Sequence, residues 1–191
     1  MDNYINFNNY QNNQIQEDNN NLLNNNNNDK NNLIKIAIHN VQGIKNNKIK
    51  QEMIFQEIIN NKYKIVGLTE TNINYSIGKY LNRFNKNYQV WTNKESYQKL
   101  GSGVALIIHN DIAKYIQKVI SIKDRIIYCD LYFQGKNKIR IINCYINTDK
   151  NNRKEREDTY NNIIKIIKEV KSKKFKIIIM RDLNTDIIEV Q

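Results

Sequence analysis

Two apolar runs flanking a helically spaced segment constrain this chain more than any other feature. LIKIAIH (33–39) alternates and is rich in β-branched residues, so it predicts a strand. IKQEMIFQEIINN (49–61) places Ile49, Met53, Ile54 and Ile58 at helical spacing, which predicts an amphipathic helix. KIVGLTE (64–70) is short and apolar, and predicts a buried strand. Strand, helix and strand within about 38 residues form a βαβ unit, whose strands run parallel with a right-handed crossover.

The middle of the chain changes character. NYQVWT (87–92), GVALIIH (103–109), AKYIQKVI (113–120), RIIYCDLYF (125–133) and KIRIINCYI (138–146) are strand-like runs with short polar or Gly-bearing gaps. Such spacing predicts antiparallel hairpins. RKEREDTYNNIIKIIKEVKSK (153–173) predicts a helix with Tyr160, Ile163, Ile164, Ile167 and Val170 as its apolar stripe. It is acidic early and basic late, as the helix dipole prefers. FKIIIM (175–180) predicts a last buried strand. Together these elements predict a mixed α/β domain with helices outside and antiparallel strands in the middle.

With 191 residues the chain has room for one domain. Residues 1–32 are half Asn and too poor in apolar side chains to offset the entropy of ordering, so they predict a disordered tail. They carry four acidic residues and Lys30, a net −3, which leaves +14 of the chain's +11 total on residues 33–191. A domain that basic favours polyanionic partners such as nucleic acid or anionic membrane surfaces. An AT-rich coding sequence, with its abundant Asn, Lys and Ile and no proline, accounts for the charge equally well.

Cys129 and Cys144 do not make a disulfide framework. If their strands pair through the turn Gln134–Lys138, Phe133 sits opposite Ile139 and the two thiols face opposite sides. That predicts a reducing, intracellular setting, nucleus or cytoplasm. No run approaches the ~20 apolar residues of a membrane span, and no basic-then-apolar leader precedes Leu33.

The polar residues that follow the buried strands are of one kind. After the first come His39, Asn40, Gln42 and Gly43; after the second, Thr69, Glu70 and Thr71. After 138–146 come Tyr145, Asn147 and Thr148; after the last, Asp182, Asn184 and Asp186. Sites in open α/β sheets gather at the carboxyl ends of strands. Side by side, these strands would bring Glu70 and Asp182 together among neutral amides and a phenol. A hard cation such as Mg²⁺ takes few carboxylates, several waters and phosphate oxygens. Neither Cys–Cys nor His–His spacing suits Zn²⁺. His39 and His109 read as strand-end surface residues.

Five segments also resemble, in order, the motifs of the endonuclease/exonuclease/phosphatase family. LIKIAIHNVQG resembles its opening strand, with an Asn after the strand and a Gly shortly beyond. GLTET resembles the motif that ends in a metal-binding Glu, and GSGVALIIH the Gly-Gly-Val/Ala strand. IINCYIN resembles the strand that ends in an active-site Tyr, and IIIMRDLNTD the Gly-Asp-Phe/Leu-Asn motif. The resemblance spans about residues 33–186. It implies a four-layer α/β/β/α sandwich with mixed sheets, of which this chain supplies part.

By that resemblance Glu70 is the carboxylate ligand of a divalent metal, Mg²⁺ or Mn²⁺, and Asn40 supports the metal or the phosphate. Tyr145 donates to a phosphate oxygen, Asp182 orients or deprotonates the attacking water, and Asn184 holds phosphate oxygens. Singly, each has a plainer reading. Glu70 reads as a solvated strand-end carboxylate, Asp182 as an Asx-turn residue, Tyr145 as core, and the asparagines as composition. The ordered set of motifs carries the functional reading.

Three departures from the family pattern stand out. Arg181 replaces a Gly, where its side chain would crowd the metal or pair with phosphate. Asn147 stands where the family has Pro. The family's later Asp and Ser-Asp-His segment have no counterpart before Gln191. The expectation is therefore a truncated domain, inactive or fragmentary, with a weakly held metal. Its apolar sheet face near Ile142 and Ile179 would be uncovered and prone to self-association. The Lys/Arg excess and the motif variants resemble the endonuclease of a non-LTR retrotransposon, which implies DNA as partner. The rivals are an inositol-phosphate or sphingomyelin branch of the same family, and a basic nucleic-acid-binding module without catalysis.

Overall fold

A computed structural model describes residues 34–73, 75–93, 101–146 and 152–181, with the backbone of 3–5 and 182. In chain order the strands are β1 (Asn3–Ile5), β2 (Ile34–Asn40), β3 (Ile65–Thr69), β4 (Tyr88–Thr92), β5 (Val104–His109), β6 (Ile116–Ile122), β7 (Ile126–Tyr132), β8 (Lys138–Tyr145) and β9 (Lys176–Asp182). The helices are α1 (Lys48–Asn60), α2 (Tyr75–Leu81), α3 (Asn110–Ala113) and α4 (Arg153–Ser172).

The strands form two sheets, ordered β1-β2-β3-β5-β4 and β6-β7-β8-β9. Each holds one parallel pair, β2 with β3 and β8 with β9, joined by a crossover helix. All other pairs are antiparallel. The inner faces meet in one apolar cluster, with Ile36, Ile65, Leu106 and Ile108 from the first sheet and Ile127, Cys129, Ile141 and Met180 from the second. On the outer face of the first sheet, Ile54, Phe55 and Ile58 of α1 and Leu81 of α2 cover Val66, Leu68 and Ile107. On the other outer face, Ile166 and Val170 of α4 cover Ile126, Tyr128, Ile142 and Cys144. This is the expected α/β/β/α layering. It explains why the central strands read as continuous apolar runs: both of their faces are buried.

Both crossover helices are rotated from the stripe their sequences predict, keeping Ile54, Ile58 and Val170 buried as expected. In α1 the buried residues are Gln51, Ile54, Phe55 and Ile58, while Ile49 and Met53 are exposed. Gln51 turns inward because its Nε2 donates to the Ile44 carbonyl at 2.6 Å, which satisfies the polar group and sets the helix rotation. In α4 the buried residues are Thr159, Ile166 and Val170, while Tyr160 and Ile164 are exposed. Ile142 is fully covered by that helix, contrary to expectation, whereas Ile179 stays exposed. Residues 110–113 form α3, so the strand expected from Ala113 starts at Ile116, and His109 is the cap whose Nδ1 accepts from the Asp111 N–H. Within the stretch expected to be disordered, Asn3–Ile5 pairs antiparallel with β2, an edge whose unpaired backbone groups accept a short strand.

The β7–β8 hairpin pairs Leu131 with Ile139, two residues from the predicted register. Because side chains alternate with a period of two, that shift leaves every residue on its expected face. Cys129 therefore faces the inter-sheet core and Cys144 faces α4, both as free thiols. Burial pushes them up to about 12 and about 11, so neither is a reactive thiolate.

Candidate active site

The parallel pair β2–β3 ends with Asn40 beside Thr69. Its hydrogen bonding continues beyond the strands: the N–H groups of Val41, Gly43 and Ile44 donate to the carbonyls of Thr69, Glu70 and Thr71 at 3.0, 2.6 and 3.0 Å. The far side is held too, since Thr71 N and Asn72 N donate to the carbonyls of Gly103 and Ser102. To make these turns Gln42, Glu70 and Asn72 adopt φ of 43°, 53° and 53°. Residues with a Cβ in the left-handed region cost of order 1 kcal/mol each and persist where the surroundings over-determine them. Gly43 has φ 80°, and a Cβ there would sit 2.8 Å from Asn72 Nδ2, so a glycine is needed.

This rim presents Glu70. Asn40 Nδ2 donates to Glu70 Oε1 at 2.9 Å, while Asn40 Oδ1 accepts from the Gln42 N–H at 3.1 Å. The second bond fixes the amide orientation, so Asn40 necessarily turns its NH₂ toward the carboxylate. Glu70 Oε2 lies 4.0 Å from where a Cβ on Gly101 would project.

A residue absent from the sequence-based set links this rim to the second sheet. Arg125, in the β6–β7 turn, is 2% exposed. Its Nη1 donates to the Gly101 carbonyl at 2.8 Å and its Nε to Glu155 Oε1 at 2.6 Å, at the start of α4. Its guanidinium carbon lies 5.0 Å from the centroid of the Tyr145 ring. Its backbone carbonyl accepts from Tyr145 N at 2.9 Å. Among the described residues its Nη2 is buried with no hydrogen-bond partner. The available signal was an arginine opening an otherwise apolar strand, a position that burial forces to be paired.

The second sheet's strand ends are level with the first's. Asn143 is fully buried, and its Nδ2 donates to both the Leu68 and Ala105 carbonyls at 2.9 Å. A Cβ on Gly67 would stand 2.6 Å from Asn143 Oδ1 and 3.1 Å from Met180 Cε. Asn143, two residues before Tyr145, thus lies on Leu68, two residues before Glu70. Met180, two residues before Asp182, lies against Gly67. Tyr145 is buried, and its backbone pairs with that of Asp182.

Asn40, Glu70 and Tyr145 therefore stand at one end of the sandwich, together with the backbone of Asp182. The Asp182 side chain and all of Asn184 and Asn147 lie outside the described residues. Arg181 does not crowd this rim. Its Nη2 donates to the Tyr160 hydroxyl at 3.0 Å on α4, because residue 181 alternates to the helix-facing side of β9. His39 is exposed and His109 sits at the opposite end of the first sheet, as surface residues should.

No protein-family model and no curated protein matches the sequence. Solved structures do match. The chain aligns with an endonuclease/exonuclease/phosphatase family protein from Leptotrichia buccalis at TM-score 0.54 and 19% identity, covering 82% of this chain and 68% of that one. The fold is that of the endonuclease/exonuclease/phosphatase proteins. A D. rerio TDP2 complexed with single strand DNA product aligns at TM-score 0.58 and 16% identity over 82% of this chain and 63% of that one. The 3' phosphatase NExo from Neisseria, bound to a product DNA hairpin, gives 0.59 and 16% over 79% and 58%. The chain spans 58% to 68% of the length of these three solved chains.

Within this nuclease–phosphatase fold the donors at the rim are oxygens and amides, the chemistry of a hard cation. Among the described residues no three His, Cys, Asp or Glu side chains group closely enough to hold an ion. Glu70 is the carboxylate that Asn40 presents at the rim. No helix among the described residues is long and apolar enough to cross a membrane.

Proposed function

We propose that the protein is a divalent-metal phosphodiesterase acting on nucleic acid, DNA in the first instance. The observation that carries this is the Asn40–Glu70 contact of 2.9 Å on a strand-end rim level with Tyr145 and the Asp182 backbone. Glu70 would hold Mg²⁺ or Mn²⁺, and Asn40, whose NH₂ faces that carboxylate, would support the ion through Glu70 rather than ligate it. The ion, when bound, supplies charge stabilisation at the phosphate oxygens. Asn40 fixes the carboxylate rotamer, so little reorganisation is needed on loading. Tyr145 donates its hydroxyl proton to a phosphate oxygen. Asp182 accepts a proton from the attacking water, and Asn184 donates to phosphate oxygens. Donors fixed before the reaction stabilise the charge of in-line attack without reorganising. With a single described carboxylate the cation is held weakly and turnover is slow.

The test is relaxation of supercoiled plasmid in millimolar Mg²⁺ or Mn²⁺. Nicked circle should accumulate slowly with the wild type, and not at all in EDTA or with Glu70→Ala. Nicking that survives Glu70→Ala contradicts the reading. A second reading, a basic nucleic-acid-binding module without cleavage, is favoured by the net charge of +14 on residues 33–191. Plasmid that is retarded on a gel in EDTA yet never nicked would select it, with affinity falling steeply as salt rises.

A further inference from the structure

Helix α2 begins five residues after Glu70 and carries an outward face of unusual composition. Its inward face is apolar and close-packed: Leu81 is buried, and a Cβ on Gly78 would meet Thr92 at 2.6 Å. Outward, Tyr75 is 49% exposed and Tyr80 66% exposed. Lys79 Nζ lies 4.7 Å from the Tyr75 ring centroid, and Arg83, in the 3-10 turn Asn82–Phe84, lies 5.0 Å from the Phe84 ring. Lys79, Tyr80, Arg83 and Lys86 are all exposed, and residues 75–87 contain no acidic side chain.

Isolated exposed tyrosines are ordinary. Two of them on one short helix, interleaved with cations and without an acid, form a surface of a particular kind. Cations neutralise phosphates, while exposed rings offer faces that only unpaired bases can cover, since a duplex hides its base faces in the stack. The anchoring of α2 by Ile73 and Leu81 holds this surface rigid beside the Glu70 rim.

We propose that the outer face of α2 and the following turn is a stacking platform for single-stranded nucleic acid: Tyr75 and Tyr80 stack on bases, and Lys79, Arg83 and Lys86 track phosphates. This rests on the nucleic-acid reading above and adds the strandedness and the surface. A strand lying there would lead its backbone toward the rim at Glu70.

The test is fluorescence anisotropy of a labelled 20-nucleotide oligo-dT, and of a duplex of the same length, with the full chain in EDTA, where no cleavage intervenes. The wild type should prefer the single strand. Tyr75→Ala/Tyr80→Ala should lose roughly ten-fold or more in affinity for oligo-dT, and far less for duplex. Tyr75→Phe/Tyr80→Phe should bind like the wild type, because stacking uses the ring and not the hydroxyl. Tyr132 is the control: it is 43% exposed with Lys138 5.3 Å from its ring, but lies at the end of β7, opposite the start of β8 and away from the rim. Its Ala variant should bind normally. An unchanged oligo-dT affinity in the double Ala variant overturns the platform alone. Equal losses in the Tyr132→Ala control also overturn it. A wild type that binds neither oligonucleotide overturns both the platform and the nucleic-acid reading.

Discussion

Arg125 and Arg140 are both almost wholly buried in the second sheet, yet they are satisfied differently. Arg140 makes a bidentate pair with Asp130, at 2.6 and 2.8 Å, and reaches Glu169 of α4 at 2.8 Å. Its guanidinium lies 4.4 Å from the Tyr128 ring and 5.4 Å from the Phe175 ring. Every nitrogen is engaged, and the cluster locks α4 onto β7 and β8. Arg125 has the Glu155 carboxylate at 2.6 Å, that of Asp124 at 3.8 Å, one carbonyl and, among the described residues, a buried Nη2 without a partner. A closed network serves packing. An open one at a strand-end rim marks the end of the molecule where polar groups are left pointing inward.

Removing Arg140 should do the most damage. Arg140→Ala strands Asp130, which is 5% exposed, and should cost about 3–5 kcal/mol in urea unfolding. Replacing both partners, as Arg140→Met/Asp130→Leu, should recover most of that loss. A pair variant as unstable as the single would show that the network does more than neutralise itself. Asn143→Ala comes next, at about 1–3 kcal/mol, because two buried carbonyls lose their donor. Gly67→Ala should cost a similar amount alone, but much less in the Asn143→Ala background, since the clash is with that side chain. Additive costs would place the strain elsewhere. Arg125→Lys should cost less than Arg140→Ala, about 1–2 kcal/mol, because the lysine keeps the charge at Glu155 but cannot also hold the Gly101 carbonyl.

The smallest effect is that of pH on the outer arm of the Arg140 cluster. Lys173, and then Arg140, hold the Glu169 carboxyl down at about 2, below the ordinary 4.5. A depressed folded value means that the contribution is complete above about pH 4.5 and is lost as pH falls toward 2. Glu169 is partly exposed, so screening limits this to about 1 kcal/mol or less. Acid unfolding of the wild type and Glu169→Gln should differ fully above about pH 4.5 and converge only as pH falls toward 2.

The same contrast separates what could be read in the sequence from what could not. The parallel units were legible because β3 and β8 are buried on both faces and read as unbroken apolar runs; β9 reads the same way, although its Ile179 is exposed. The rim residues Asn40, Glu70 and Tyr145 were legible because each directly follows or ends such a run. Helix faces were misjudged where a polar residue turned inward, as Gln51 does. Helix α2 was missed because its central glycine, needed against Thr92, interrupts the helical pattern. Arg125 and Asn143 were missed because their roles lie in contacts between the sheets, which periodicity along one strand does not encode.

On the proposed function, metal binding depends on the carboxylate that Asn40 holds at the rim. The direct measurement is Mn²⁺ binding, followed by its electron paramagnetic resonance signal as protein is titrated in. The wild type should take up Mn²⁺ weakly at one site, Asn40→Ala should bind roughly ten-fold more weakly, and Glu70→Gln should not bind at all. Glu70→Gln binding Mn²⁺ as the wild type does would contradict it.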